Sequence, residues 1–236
     1  VITELADWVS DPANWQGPDG VPARVLEHLG YVGLGLVLAA VIAVPVGLFV
    51  GHTGRGGVLL VGSGNAIRAL PTLGLVTFLF LVFTDSLVAA IVGLVVLAIP
   101  PILAGTYAGI QAVDRDVVDA AEGMGMRGWQ RLWRIEVPIS LPLVLGGVRN
   151  AVLQLVATAA VAAYVGLDGL GRYLIDGLAN LDYGAVVAGA IVTALLAVTL
   201  DLLLAGAQRV VLPKGVRLAT GTGPSAAAEP TREVTA

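Results

Sequence analysis

The sequence predicts an all-α polytopic membrane protein with about five transmembrane helices. Three observations carry that prediction. Of 236 residues, 57% are hydrophobic and only 13% charged, and the mean hydropathy is +0.89, too apolar for a soluble domain. The apolar runs are continuous and long, whereas a transmembrane β-barrel shows short alternating segments. The 31 glycines suit helices packed closely in lipid, where small residues let backbones approach. With no cysteine, disulfides and thiol chemistry are excluded. No basic n-region followed by a cleavage site precedes the first span, so a removable signal peptide is not expected.

Residues 1–28 form an acidic arm carrying Trp8 and Trp15. Ile2, Leu5, Ala6 and Val9 fall on one face of a short helix that would lie at the membrane surface; a loosely ordered arm is the alternative. A transmembrane domain over residues 29–212 follows. Its first span, Leu29–Val50, is uncharged and long enough to cross, with Pro45 expected to kink it near one end. His52 and Arg55 fall in a short Gly-rich turn. No second histidine or carboxylate cluster accompanies His52, so it reads as a loop residue rather than a ligand.

The second span, Val58–Phe83, is interrupted by Asn65, Arg68 and Pro71, and the third, Ser86–Ile110, is expected to break at Pro100 and Pro101. Leu143–Val165 is the fourth and contains Arg149 and Gln154. A polar loop, 166–183, places Leu170, Leu174 and Leu178 at helical spacing, and Ala185–Ala207, carrying Asp201, is the fifth span. Residues 213–236, rich in Ala, Gly, Pro, Thr and Glu, read as a disordered tail.

Between the third and fourth spans lies the longest charged interval of the middle of the chain, within a loop over residues 112–142. Ala120 and Ala121 favour a helix without surface bulk, which another protein can approach closely. Gly123 and Gly125 invite a break after it. Arg127, Trp129, Arg131, Trp133 and Arg134 form a basic and aromatic turn, and Pro138 and Pro142 are expected to end one element and start the next. The pattern D-A-A, three residues, Gly125, nine residues, I-x-V-P resembles the "EAA" loop of ATP-binding-cassette importer permeases. Asp119 replaces the usual Glu and Val137 the usual Leu.

That resemblance implies a type I importer permease fold and a coupling helix that docks into a groove of a cytoplasmic ATPase. Asp119, Ala120, Ala121, Gly125, Arg127, Arg131, Arg134, Ile135 and Pro138 are then the coupling residues. The chain itself has no G-x-x-x-x-G-K-[ST] phosphate loop, HExxH, nucleophile elbow or metal-spaced cluster. It is therefore expected to be no enzyme and to bind no cofactor, with ATP and magnesium used by the partner ATPase.

With that loop in the cytoplasm, five spans place the N-terminus outside and the C-terminus inside. Of 13 Lys and Arg, only Arg24 and Arg172 then face outward, and Arg68 and Arg149 fall within spans. The rest, including Lys214, Arg217 and Arg232, face inward, as the positive-inside rule requires. The implied location is a bacterial plasma membrane.

The resemblance covers about residues 25–212. N-A-I-R-A-L-P-T-L-G-L (65–75), P-P-I-L-A-G-T-Y-A-G-I-Q-A-V-D (100–114) and V-G-L-D-G-L-G (165–171) look like the betaine, carnitine and choline permeases of the osmoprotectant branch. This implies an extracytoplasmic substrate-binding protein, two ATPase subunits and a second permease copy or paralogue as partners, besides membrane lipid and without nucleic acid. Arg68 stands where an uncharged polar residue is expected. A charge at mid-membrane costs roughly 2.5–3.5 kcal/mol on insertion scales, so it faces a partner or a wet cavity. Arg149 and Asp201 read as snorkelling or ion-paired residues. Arg68, Asn65, Tyr107, Gln154 and Tyr164 are candidates for a translocation path, the tyrosines as aromatic faces for a quaternary ammonium. Alternative cargoes are methionine, another amino acid or an organosulfur anion. From other classes, a passive channel is the rival, and an intramembrane enzyme has no constellation to support it.

Overall fold

The computed structural model describes residues 1–211, and the 213–236 tail lies outside the described residues. Every regular element among the described residues is helical. A short helix α1 (Ile2–Ser10) leads through a 3-10 turn into α2 (Val21–Thr53), whose preceding Gly20 has extended backbone and whose end is closed by Gly54 at φ 68°. The helix thus begins within the residues read as the arm. Arg24, Glu27 and His28 already belong to it, because Val21 and Pro22 open a first turn that proline suits. Pro45 sits inside α2 without ending it.

The second span is two helices, α3 (Gly57–Arg68) and α4 (Thr72–Phe83), meeting at 90° across Ala69–Pro71. Pro71 caps α4, and a residue before proline is pushed out of the helical region. The third span is α5 (Ser86–Gln111), N-capped by the Asp85 carboxylate, which accepts the Val88 N–H at 2.8 Å. It does not break at Pro100 and Pro101. Both are buried inside a continuous helix.

After α6 (Arg115–Gly123) and a turn at Gly125, the chain re-enters helix as α7 (Gly128–Arg131). A π-helical segment, Leu132–Glu136, continues directly into α8 (Val137–Ala162). Gly128–Val165 is therefore one long apolar element, and Pro138 and Pro142 separate nothing. The π turn precedes Pro138, where the wider i to i−5 register accommodates a ring lacking an N–H. The loop at 166–183 holds α9 (Gly171–Asn180), and α10 (Tyr183–Val211) is the last span. Four long helices and the bent α3–α4 pair account for the five expected spans.

The core lies where α2, α5 and α8 meet, around Ala39, Ala43, Leu94, Ala98, Ile102, Ala151, Leu155 and Ala159, all fully buried. Glycine makes this approach possible. A Cβ on Gly105 would fall 2.7 Å from the Gly147 Cα and the Leu143 carbonyl oxygen, and one on Gly109 would lie 2.9 Å from the Ser140 carbonyl oxygen. The α5–α8 contact is thus backbone against backbone.

At the other end of the bundle the arm is packed rather than loose. The Trp8 ring meets Tyr173 edge-on at 5.4 Å, and the Tyr173 hydroxyl donates to the Asp19 carbonyl at 2.6 Å. Arg24 joins Glu27 at 2.9 Å and Asp168 at 2.7 Å, while Glu27 accepts the Gly169 N–H. These bonds tie the start of α2 to the segment before α9.

Candidate functional site

Besides the Arg24 cluster, two places among the described residues concentrate polar chemistry: the loop around α6 and α7, and a pair of cavities at the α3–α4 break. In the loop, the Asp114 carboxylate caps α6 by accepting the Asp116 N–H at 2.9 Å. Gly125 turns the chain at φ 79°, a left-handed conformation that glycine adopts without steric cost. Asp119, Ala120, Gly125, Arg127 and Arg134 are exposed there, whereas Ile135 and Pro138 are half-buried. Trp129 and Trp133, one turn apart, stack edge-on at 5.4 Å and remain largely exposed.

Two of the sequence-predicted residues sit differently. Ala121 is fully buried, so its methyl is part of the chain's own packing and leaves no open surface. Arg131 is also turned inward. Its guanidinium binds Glu122 and, through Nε at 2.8 Å, the buried carboxylate of Glu136. The other Glu136 oxygen lies 2.6 Å from the Nδ1 of His52. Arginine and glutamate occur five residues apart on one helical strip, and the π turn between them brings both onto the face that meets α2.

His52 is therefore not a loop residue. It lies in the last turn of α2 with a carboxylate partner. The Glu136 clamp joins the end of the first span to the loop, and Gln111 reinforces it by donating to the Gly51 carbonyl at 2.9 Å. The only sequence trace of the clamp was a lone glutamate among apolar residues in I-E-V-P. Its partner, 84 positions away, gave no local signal.

The first cavity, about 290 Å³, is lined by Asn65 and Arg68 from α3 and by Pro100, Ala104 and Tyr107 from α5, among others. The second, about 320 Å³, is lined by Arg68, Thr72, Leu97, Pro101, Asn150 and Gln154. Arg68 belongs to both. The bend at Pro71 sets it between them, and the Gly57 backbone sits against the end of Tyr107, so close that a Cβ there would be 2.7 Å from the hydroxyl. Of the candidate path residues, Asn65, Arg68, Tyr107 and Gln154 line these cavities. Tyr164 does not; it is exposed in the short turn after α8. Asn150 was not anticipated, although its spacing of four from Gln154 puts both on one face of an otherwise apolar helix. Arg149, its neighbour, turns away and forms a bidentate pair with Asp201 of α10, Nη2 to Oδ2 at 2.5 Å. Of the two readings of these charges, snorkelling or an ion pair, the structure shows the ion pair.

Residues 43–214 match the family described as the binding-protein-dependent transport system inner membrane component. The chain is 32% identical over 191 residues to the glycine betaine/carnitine/choline transport system permease protein OpuCB of Bacillus subtilis (strain 168), spanning 81% of this chain and 88% of that one. It is 31% identical to the osmoprotectant import permease protein OsmW of Salmonella typhimurium, over 81% of this chain and 91% of that one. Among solved structures, an inward-facing form of the MetNI methionine ABC transporter superposes with a TM-score of 0.69 at 22% identity, over 80% of this chain and 94% of that one. The type I importer permease fold is thereby shared. With a family match over most of the chain and relatives 31–32% identical along four-fifths of it, this chain belongs to the inner-membrane components of binding-protein-dependent transport systems, as a multi-pass permease subunit.

Proposed function

We propose that the chain is the transmembrane subunit of an ATP-driven importer of quaternary ammonium osmoprotectants such as glycine betaine, carnitine or choline. One observation carries the cargo: relatives about 30% identical over some four-fifths of the chain are named for these compounds. The methionine reading has only a likeness of fold behind it. The chain works as a dimer, with itself or a paralogue, beside a cytoplasmic ATPase that uses ATP and magnesium and an extracytoplasmic binding protein. The N-terminus lies outside and the C-terminus in the cytoplasm.

In this reading the exposed surface of Asp119, Ala120, Gly125, Arg127 and Arg134, with Trp129 and Trp133, enters a groove of the ATPase. Ala121 and Arg131 act from inside, by holding α6 and α7 in one body with the π segment. Closure of the ATPase pair moves that body, and the continuous helix from Gly128 to Val165 carries the displacement into the membrane as a rigid-body switch. Asn65, Arg68, Tyr107 and Gln154 line the path.

The test is purification of the tagged chain from its native membrane in mild detergent, with mass spectrometry of what is retained and uptake of radiolabelled glycine betaine. An ATPase and a binding protein are expected, and Gly125→Asp should release the ATPase and abolish uptake. A Cβ at Gly125 meets nothing within 4 Å, but any side chain at φ 79° strains the backbone. Gly125→Asn is therefore the control: it carries the same strain without the charge and should keep more of the ATPase and uptake than Gly125→Asp. ATP-independent flux without any ATPase would instead establish a channel.

A further inference from the structure

We propose that Arg68 is a carboxylate selector, so that the membrane pathway favours zwitterionic quaternary ammonium compounds such as glycine betaine and carnitine over the bare cation choline. The inference rests on the osmoprotectant reading above. It starts from an imbalance of charge. Of the two arginines at membrane depth, Arg149 is neutralised by Asp201. Arg68 has no carboxylate within ion-pair distance among the described residues.

Its depth makes this costly. Arg68 ends the 12-residue helix α3, which puts it about 16 Å along the axis from Gly57. With α3 along the bilayer normal, that is near the midplane of a hydrocarbon core about 30 Å thick. The C-terminal end of α3 offers the cation about half an opposing charge, which eases but does not neutralise it. An isolated cation there needs water and an anion.

The surroundings supply room for water and leave the anion open. Arg68 faces both cavities, of about 290 and 320 Å³. Their other polar lining is uncharged: Asn65 and Tyr107 on one side, Thr72, Asn150 and Gln154 on the other. Among the described residues no carboxylate lines either. A bare ammonium passing here meets a like charge with nothing to offset it. A zwitterion presents its carboxylate to the planar guanidinium, which binds such groups bidentately, while its ammonium end reaches the Tyr107 face. The bend at Pro71 is what holds the guanidinium between the two cavities.

The experiment uses the complex purified with its own ATPase and binding protein, reconstituted in proteoliposomes containing ATP. Initial uptake of radiolabelled glycine betaine, carnitine and choline is measured with each cargo saturating the binding protein, which removes that protein's own preference. The unmodified complex should move the two carboxylate cargoes at least about 10-fold faster than choline, the discrimination expected of one charge-assisted contact. Arg68→Gln should bring that ratio close to one, and Arg68→Lys should keep part of it. Equal uptake of choline and glycine betaine by the unmodified complex overturns the proposal. So does Arg68→Gln that lowers all three alike, which marks a purely architectural arginine. Failure of the unmodified complex to import any of the three refutes the osmoprotectant reading itself, and is seen before any variant is made.

Discussion

Replacing Gly105 with alanine tests whether α5 and α8 are held by backbone contact. The added Cβ would lie 2.7 Å from both the Gly147 Cα and the Leu143 carbonyl oxygen, about 0.7 Å inside ordinary contact. Neither neighbour is the tip of a flexible side chain, so one helix must move as a body. A gap of that size forfeits about a quarter to a half of the dispersion energy at the atoms it separates. Overpacking of this kind costs about 1–3 kcal/mol.

Gly146→Ala is the matched control, because a Cβ there meets nothing within 4 Å. Both changes gain up to about 1 kcal/mol in helix propensity, so their difference isolates the clash. At about 2–4 °C per kcal/mol for a chain of this size, Gly105→Ala should melt several degrees below Gly146→Ala. Thermal unfolding in detergent, followed by tryptophan fluorescence, reads this directly. If the two variants melt together, the helices are not in backbone contact and the account of the core is wrong.

Breaking the clamp at Glu136 should also destabilise. Glu136→Ala leaves His52 without its carboxylate and Arg131 with Glu122 alone, at a cost of about 1–3 kcal/mol; a melting temperature within a degree of the parent's contradicts the clamp. The adjoining effect is on coupling: Glu136→Gln keeps the shape, and should lower cargo taken up per ATP hydrolysed in the reconstituted complex. Asp201→Asn removes the partner of Arg149 and should reduce the amount of chain recovered from the membrane, with recovery restored by the double change Arg149→Gln, Asp201→Asn. A double variant no better than the single one argues against the pair.

Much of the fold was legible in local pattern. Unbroken apolar runs longer than about 20 residues can only be helices in lipid, since every backbone group must be satisfied within the segment. Asn65, Arg68 and Pro71 marked the interrupted span in advance, because polar and helix-breaking residues at that depth have few explanations. The prolines of the third and fourth spans misled for a related reason. Whether proline breaks a helix depends on its surroundings: in α5 the pair lies buried inside a continuous helix, and ahead of Pro138 a π turn runs directly into α8. At the loop, spacing identified the stretch but not its inside and outside. Ala121 and Arg131 face inward because α6 and α7 fold back on one another.

By itself, then, the sequence determined the membrane class, the spans, the turn at Gly125 and the family loop, all of which depend on residues near one another in the chain. Only the tertiary structure decided which charges meet. Arg149 and Asp201 are 52 positions apart and His52 and Glu136 are 84 apart, so their pairing follows from the register of packed helices. The same packing leaves Arg68 between two cavities without a counter-ion among the described residues, because electrostatic balance in a membrane is set by what crosses the space between helices, and that is settled only once they are assembled.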